Sequence, residues 1–293
     1  MPSCVIGKLY FKEYYKNNMK KKLPKGLDII KEKDLQILIK AAQAGGKVLR
    51  KYFGQAMDFV EKSTLADFQT KADLESEKSI LKILKKEFPK YNILSEEEGK
   101  TEKNSDYTLV IDPLDGTNNF VLGIPNFSVS VALFYKTEAI AGVVYQPILN
   151  KTYYASKNNG AFLNGKQIKV NDITNIGKIT IIYGCGYKTK QDYLAKIMHI
   201  LFSLNHKRIL TNWSIAYDYC LLACGRIETI INDGLELYDY GAGKLIALEA
   251  GAKIIDFTGK KENDYSNKNF IISNTDEIND YVFNLIKPLQ KVK

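Results

Sequence analysis

Residues 110–120 read VIDPLDGTNNF and are entered from the apolar run YTLVI at 107–111. Two acids, Asp112 and Asp115, stand three residues apart around Pro113, and Gly116-Thr117 follows at once. The β-branched and aromatic lead predicts a buried strand. Pro113 and Gly116 predict a sharp turn at its end. A carboxylate at a turn is ordinarily a solvated one. Here the neighbours are apolar, and two buried acids without a positive partner are costly. The chemistry to look for is therefore oxygen ligands gathered around a cation.

On the N-terminal side of this strand, apolar residues recur at helical spacing. Leu35, Leu38, Ile39, Ala42 and Leu49 predict a helix over 34–53, capped by Asp34 and closed by Gly54. Leu74, Ile80, Leu81 and Leu84 predict a second helix over 71–88, stopped by Pro89. On the C-terminal side, strands are expected at 128–135, 139–145, 152–155 and 161–163. Asn164-Gly165 is a hairpin turn ahead of 167–170. Beyond about residue 172 the pattern alternates. Strands at 178–183, 227–231, 253–257 and 269–272 are interleaved with helices at 193–203, 214–224, 239–250 and from 276 onward. This predicts an α+β half over 27–172 and an α/β half over 173–293, behind a basic extension over 1–26.

The chain has 293 residues, 45% hydrophobic and 26% charged, which suits a globular protein with a sizeable core. No apolar run reaches the roughly 18–20 residues that cross a bilayer, and no secretory signal is legible at the start. Four irregularly spaced cysteines, Cys4, Cys185, Cys220 and Cys224, predict no disulfide framework and a cytoplasmic location. The net charge of +9 suggests nucleic acid, yet seven lysines and Glu13 within residues 1–26 supply +6 of it. The basic character belongs to a tail expected to be flexible and solvated, with Met19 as an alternative start. A weak arm attracted to phosphate or to a membrane surface is the other reading of that tail, and the less favoured one.

Two patterns are decoys. GAFLNGK at 160–166 resembles a phosphate-binding loop, but Gln167 stands where that loop needs a hydroxyl, and Asn-Gly reads better as a hairpin. Cys220 and Cys224 share a helix face among Leu221, Leu222 and Ala223, with no histidine near in sequence, which fits an apolar helix. His199 and His206 have no partner motif. Chemistry must then run on carboxylates.

These acids cluster at element ends. Asp67 and Asp73 flank DFQTKAD, Glu96 and Glu97 lie in NILSEEEG, and Asp239 opens a helix in ELYDYGAG. Oxygen donors without imidazole or thiolate favour Mg²⁺. Asp112, Asp115 and the Leu114 carbonyl can converge across the turn. Gly116 lets the backbone come close to an anion, and Thr117 can hydrogen-bond a water. Such a unit suits metal-assisted attack of water on a phosphate ester.

IDPLDGTNNF resembles the signature of the inositol monophosphatase family, the lithium-sensitive, Mg²⁺-dependent sugar-phosphatase superfamily. DFQTKAD resembles its early acidic segment and NILSEEEG its Glu-Glu motif. GIPNFSVSVAL and GVVYQP resemble the strands after the signature, and YDYGAGKLIALEAG resembles its late Asp helix. The order and spacing hold over about residues 34–290. The resemblance implies a layered αβαβα sandwich and a homodimer. It implies two to three Mg²⁺ ions held by Glu96, Asp112, the Leu114 carbonyl, Asp115 and Asp239. Catalytic roles fall to Asp73, Thr117 and Glu96, with Asp67 and Glu97 in support. The phosphate falls to the Gly116 and Thr117 amides, and the substrate hydroxyls to Asp115 and Asp239.

The sequence departs from the family pattern at Tyr238, where a Trp is usual, and at Gly241. It also departs at Asn232, where inositol-specific members carry an acid, and at the bulky segment Asn212-Trp213-Ser214. The last two fall where the alcohol portion of the substrate is expected. The implied activity is phosphomonoester hydrolysis, most simply of inositol-1-phosphate. Fructose-1,6-bisphosphate, adenosine 3′,5′-bisphosphate and histidinol phosphate are rival substrates. Asn118-Asn119-Phe120 resembles the inositol and sugar-bisphosphatase branches more than the nucleotide branch. An RNA-associated regulatory role with incidental catalysis is the alternative of another class.

Overall fold

The computed structural model describes residues 30–55, 59–62, 68–262 and 264–292. The basic extension and Asp67 lie outside them. In chain order the elements are α1 (Glu32–Tyr52), β1 (Phe59–Glu61), β2 (Phe68–Thr70), α2 (Lys71–Glu87), β3 (Asn92–Ser95), β4 (Gly99–Thr101) and β5 (Tyr107–Asp115). Next come α3 (Thr117–Val121), β6 (Ser128–Tyr135), β7 (Glu138–Gln146), β8 (Lys151–Ser156), β9 (Ala161–Leu163) and β10 (Lys166–Ile168). The remainder is β11 (Thr180–Cys185), α4 (Gln191–Phe202), β12 (Arg208–Leu210), α5 (Ile215–Ala223), β13 (Thr229–Asp233), α6 (Leu237–Glu249), β14 (Lys253–Asp256), β15 (Asn269–Ser273) and α7 (Asp276–Ile286).

Side-chain alternation along the strands generates the layers. In β5, Leu109 and Ile111 face a core with α1 and α2, while Val110 faces the opposite core with α5 and α6. In the second sheet, Ile230 and Ile272 join that same central core, whereas Ile231 and Ile271 turn to a third core with α4 and α7. The result is helix pair, eight-stranded sheet, helix pair, five-stranded sheet, helix pair: the layered αβαβα sandwich. The first sheet runs β10-β9-β8-β7-β6-β5-β3-β4, with only β3–β5 parallel. The second runs β12-β11-β13-β15-β14 and mixes parallel and antiparallel pairs. No helix among the described residues is long and apolar enough to cross a membrane.

Several boundaries differ from the sequence expectation for local reasons. Asp34 does not cap α1. The helix begins two residues earlier, and Asp34 accepts from the Lys31 N–H at 3.2 Å as the third helical residue. The predicted strand over 178–183 starts late because 176–178 is a short 3₁₀ turn. β5 does not stop at Ile111 but carries the acid pair itself, and its pairing with β6 slips between Asp112 and Asp115. That bulge turns the side chains by one position and aims the acids inward. Asn164 and Gly165 both have positive φ, 48° and 85°, as a tight hairpin between β9 and β10 requires.

One residue of α6 stands out energetically. Lys244 is 1% exposed, its Nζ lying 4.5 Å from the Tyr265 ring centre and 4.4 Å from that of Phe270. It donates to the Asp264 carbonyl at 3.1 Å. Burial lowers its ammonium to about 8, against the opposing pull of Glu262 and Asp264. A folded-state value below the unfolded one means that charged Lys244 costs stability at neutral pH. The cost fades as pH climbs above about 8 toward the unfolded value. Lys244→Met is expected to raise stability at pH 7 by about 1–2 kcal/mol, an advantage that narrows in alkaline melts. A variant that is less stable at pH 7 would show that the two rings and the carbonyl outweigh desolvation.

Candidate active site

The acid pair of β5 is buried where several elements of the fold meet. Asp112 and Asp115 are 2% and 5% exposed. The Asp112 Oδ1 accepts from the Leu114 N–H at 3.0 Å, folding the bulge back on itself. The Asp115 Oδ2 accepts from the Ser128 and Ser214 hydroxyls, both at 2.7 Å, and from the Tyr217 N–H at 3.3 Å. Asp239 is the third residue of α6, and its Oδ2 accepts from the Glu236 N–H at 2.7 Å. Nearby, the Asp73 Oδ2, at the third residue of α2, accepts from the N–H of the capping residue Thr70 at 2.8 Å. Its Oδ1 accepts from the Thr117 hydroxyl at 3.0 Å, and that hydroxyl also lies 3.0 Å from the Leu114 carbonyl. The expected Asp73–Thr117 pairing is therefore present.

Glu96 and Glu97 follow β3 in the turn to β4. Lys62 bridges them, with Nζ 2.9 Å from Glu96 Oε1 and 2.6 Å from Glu97 Oε1. Gln69 also donates to Glu97. The turn is held from below by Glu77 of α2, which accepts from the Ser95 hydroxyl and from the Glu98 N–H at 2.9 Å. Gly116 has φ +95°, and a Cβ there would lie 3.0 Å from the Trp213 carbonyl and 3.1 Å from that of Asn126. Only glycine fits both the left-handed backbone and the space.

The electrostatics tie these residues together. Burial, then the charges of Glu96, Asp115 and Asp239, and a contact with Glu96 push the Asp112 carboxyl well above the ordinary range. Asp239 is likewise raised by burial and by Glu96. Asp115 is raised by burial and pulled back by Ser214, Ser128 and two backbone N–H groups. Burial, partly offset by Lys62, lifts Glu96 to about 7, and burial lifts Asp73 to about 6. Five of the expected site acids, drawn from segments up to 166 residues apart, thus share one electrostatic neighbourhood.

They do not form a ready-made cage. Among the described residues, no three His, Cys, Asp or Glu side chains converge tightly enough to hold an ion. Lys62 draws the Glu96 and Glu97 heads to its own ammonium. Yet no lysine or arginine among the described residues pairs with Asp112, Asp115 or Asp239. Buried acids of one sign, all hard oxygen donors, fit a divalent cation as the missing counter-charge.

Sequence reasoning missed Lys62, Glu77, Ser128 and Ser214. Glu77 was legible in principle, four residues after Asp73 on the same helix face. The serines were read only as strand and helix-entry residues, because their contacts to Asp115 span 13 and 99 residues. Lys62 carries no local signal.

The model of the inositol monophosphatase family matches residues 30–291. A Pasteurella multocida protein named Nus factor SuhB is 34% identical, covering 87% of this chain and 96% of that protein. A Thermotoga maritima fructose-1,6-bisphosphatase/inositol-1-monophosphatase is 35% identical, covering 82% and 91%. Among solved structures, a Thermotoga maritima IMPase superposes with a TM-score of 0.80 at 33% identity, covering 89% of this chain and 99% of that one. On the strength of the family match and of relatives aligned over nearly their whole length, this chain belongs to the inositol monophosphatase family.

Proposed function

We propose that the chain is a Mg²⁺-dependent phosphomonoesterase that hydrolyses inositol-1-phosphate or a related sugar phosphate. The observation that carries this reading is the burial of Asp112, Asp115 and Asp239 beside Glu96 with no basic partner among the described residues. Family membership supports phosphatase chemistry and metal dependence in general. In this reading two to three Mg²⁺ ions are held by Glu96, Asp112, the Leu114 carbonyl, Asp115 and Asp239. Mg²⁺ supplies Lewis-acid polarisation of the phosphate and a lowered water pKa.

The chain's own residues do the rest. The Thr117 hydroxyl, donating to Asp73, keeps its lone pairs free to accept from a water and so orients it. Asp73, lifted toward neutrality, is the final proton acceptor. Glu96 assists the same water. The Gly116 and Thr117 amides face the phosphate, and Asp115 and Asp239 reach substrate hydroxyls. Glu97 supports Glu96 through Lys62. Asp67, from outside the described residues, is assigned a supporting role on resemblance alone. Lithium inhibition, a homodimer and a cytoplasmic location are part of the same proposal.

The test is a panel of inositol-1-phosphate, fructose-1,6-bisphosphate, adenosine 3′,5′-bisphosphate and histidinol phosphate, read as free phosphate with Mg²⁺ and with chelator. Release that is unchanged by chelation, or absent throughout, sinks the reading. A second reading is nucleic-acid association through the basic residues 1–26, prompted by relatives bearing the name Nus factor SuhB. Removing residues 1–26 is expected to leave turnover within about twofold and to abolish any salt-sensitive nucleic-acid binding. Loss of hydrolysis on truncation would give the extension a catalytic role.

A further inference from the structure

The backbone carbonyl of Trp213, the chain's single tryptophan, packs against Gly116 beside the acids. It is 55% exposed, and its φ is +56°, a left-handed conformation that a bulky side chain rarely adopts. The flanking residues enforce it. The Asn212 carbonyl accepts from Asn119 Nδ2 at 2.7 Å and Asn126 Nδ2 at 3.0 Å, and the Asn212 amide donates to buried Asp218 at 2.8 Å. On the other side, the Ser214 hydroxyl donates to Asp115. The chain on both sides of Trp213 is thus clamped, and strain of this kind persists only where its surroundings over-determine it.

A second ring stands beside the first. Tyr187 is 44% exposed, with its centroid 6.3 Å from that of Trp213 and a tilt of 31°. Its hydroxyl accepts from Asn118 Nδ2 at 3.3 Å. Asn118 directly follows Thr117, and Trp213 directly precedes Ser214. Trp213 is therefore one residue from a group that touches the acids, and Tyr187 is tied by a hydrogen bond to the neighbour of another. The opposite trend holds for polar contacts. Asn232 is fully buried, its Oδ1 accepting from the Tyr219 hydroxyl at 2.8 Å and its Nδ2 donating to the Lys268 carbonyl at 2.9 Å. Its carboxamide is committed inside the protein.

We propose that Trp213 and Tyr187 form a stacking subsite for a planar aromatic ring carried on the alcohol side of the phosphate ester. The inference rests on Asp112, Asp115 and Asp239 forming the phosphatase centre and narrows its substrates to sugar phosphates that also carry such a ring, in place of inositol-1-phosphate. A clamped, exposed aromatic pair offers a flat face at little conformational cost, and stacking on such faces tolerates any ring with a π-surface. With the phosphate at the acids, the ring lies outward over Trp213, so the subsite selects leaving groups and leaves the bond-breaking step alone.

The single tryptophan supplies a readout independent of turnover. Adenosine 5′-monophosphate is expected to quench its emission saturably in the Mg²⁺-loaded full chain, whereas glycerol 2-phosphate at equal concentration is not. Trp213→Gly suits the left-handed backbone and should fold at least as well as the parent. In it, the ratio of kcat/KM for the adenosine ester to that for glycerol 2-phosphate is expected to fall roughly tenfold, mostly through KM.

An unchanged ratio, or emission blind to the adenosine ester while phosphate esters are turned over, overturns the subsite and leaves the phosphatase reading standing. Saturable quenching without hydrolysis of any ester does the reverse. Quenching by glucose 1-phosphate but not by the adenosine ester overturns the ring class. A shift in oligomeric state on Trp213→Gly with the ratio unchanged assigns the rings to a subunit contact and ends the proposal.

Discussion

Asp112→Asn is expected to lower Mg²⁺-dependent phosphate release by about a thousandfold or more while leaving the metal-free chain at least as stable as the parent. The two halves of this expectation have one cause. Asp112 is buried, and the negative charges around it, Glu96, Asp115 and Asp239, all disfavour its ionised form. Removing its charge therefore relaxes a repulsive cluster. The local fold loses little, because an asparagine Oδ1 can still accept from the Leu114 N–H. The same removal takes away one of the charges proposed to hold the cations. In the parent chain, Mg²⁺ is expected to raise Tm by mass action on the folded state, and this increment should shrink in the variant. Turnover within tenfold of the parent would show that Asp112 is not a required metal ligand. A Tm well below the parent's in chelator would show that the carboxylate is structural.

Signals that are local in the chain were legible, and signals that depend on distant partners were not. The apolar run at 107–111 announced a buried strand, and the structure divides Leu109, Val110 and Ile111 between two cores. Asn164-Gly165 announced its hairpin because the turn geometry depends on those two residues alone. Asp73 and Thr117 could be paired only through family resemblance, since 44 residues separate them and no local rule joins them. The bulge at Asp112–Asp115 was misread as a turn after the strand. Proline and glycine signal a break in regularity, and whether that break is a turn or a bulge is decided by Ser128 and Ser130 across the ladder. Trp213 was noticed for its bulk, but its left-handed backbone depends on Asn119, Asn126 and Asp218 holding Asn212 from three directions. Lys244 carries no signal in the sequence that it is buried. In a helix otherwise rich in small and apolar residues, a lysine reads as a solvated one until Tyr265 and Phe270 fold over it.

Gly142→Ala is expected to destabilise the chain by about 3 kcal/mol, or roughly 6–12 °C in Tm for a chain of this size, although it adds one methyl group. Gly142 lies in β7 between Ala132 of β6 and Ala155 of β8, a patch of small residues against which α6 packs. A Cβ at 142 would lie 2.9 Å from both the Cα and the carbonyl oxygen of Ala242. These are backbone atoms of a helix interior, so no rotamer change relieves the clash, and the whole helix must shift. Ala242→Gly therefore should not rescue the variant, which separates this mechanism from ordinary side-chain crowding. Because Asp239 opens the same helix one turn earlier, the displacement reaches the buried acids. Loss of geometry there is expected to reduce turnover by about ten- to a hundredfold in the molecules that remain folded. Melting curves, with turnover measured well below Tm, test both effects. If Gly142→Ala melts within a degree of the parent, α6 does not ride as close on the sheet as the contact with Ala242 requires. If it melts early but turns over normally, the position of Asp239 is set by its capping bond to Glu236 and not by the sheet beneath the helix.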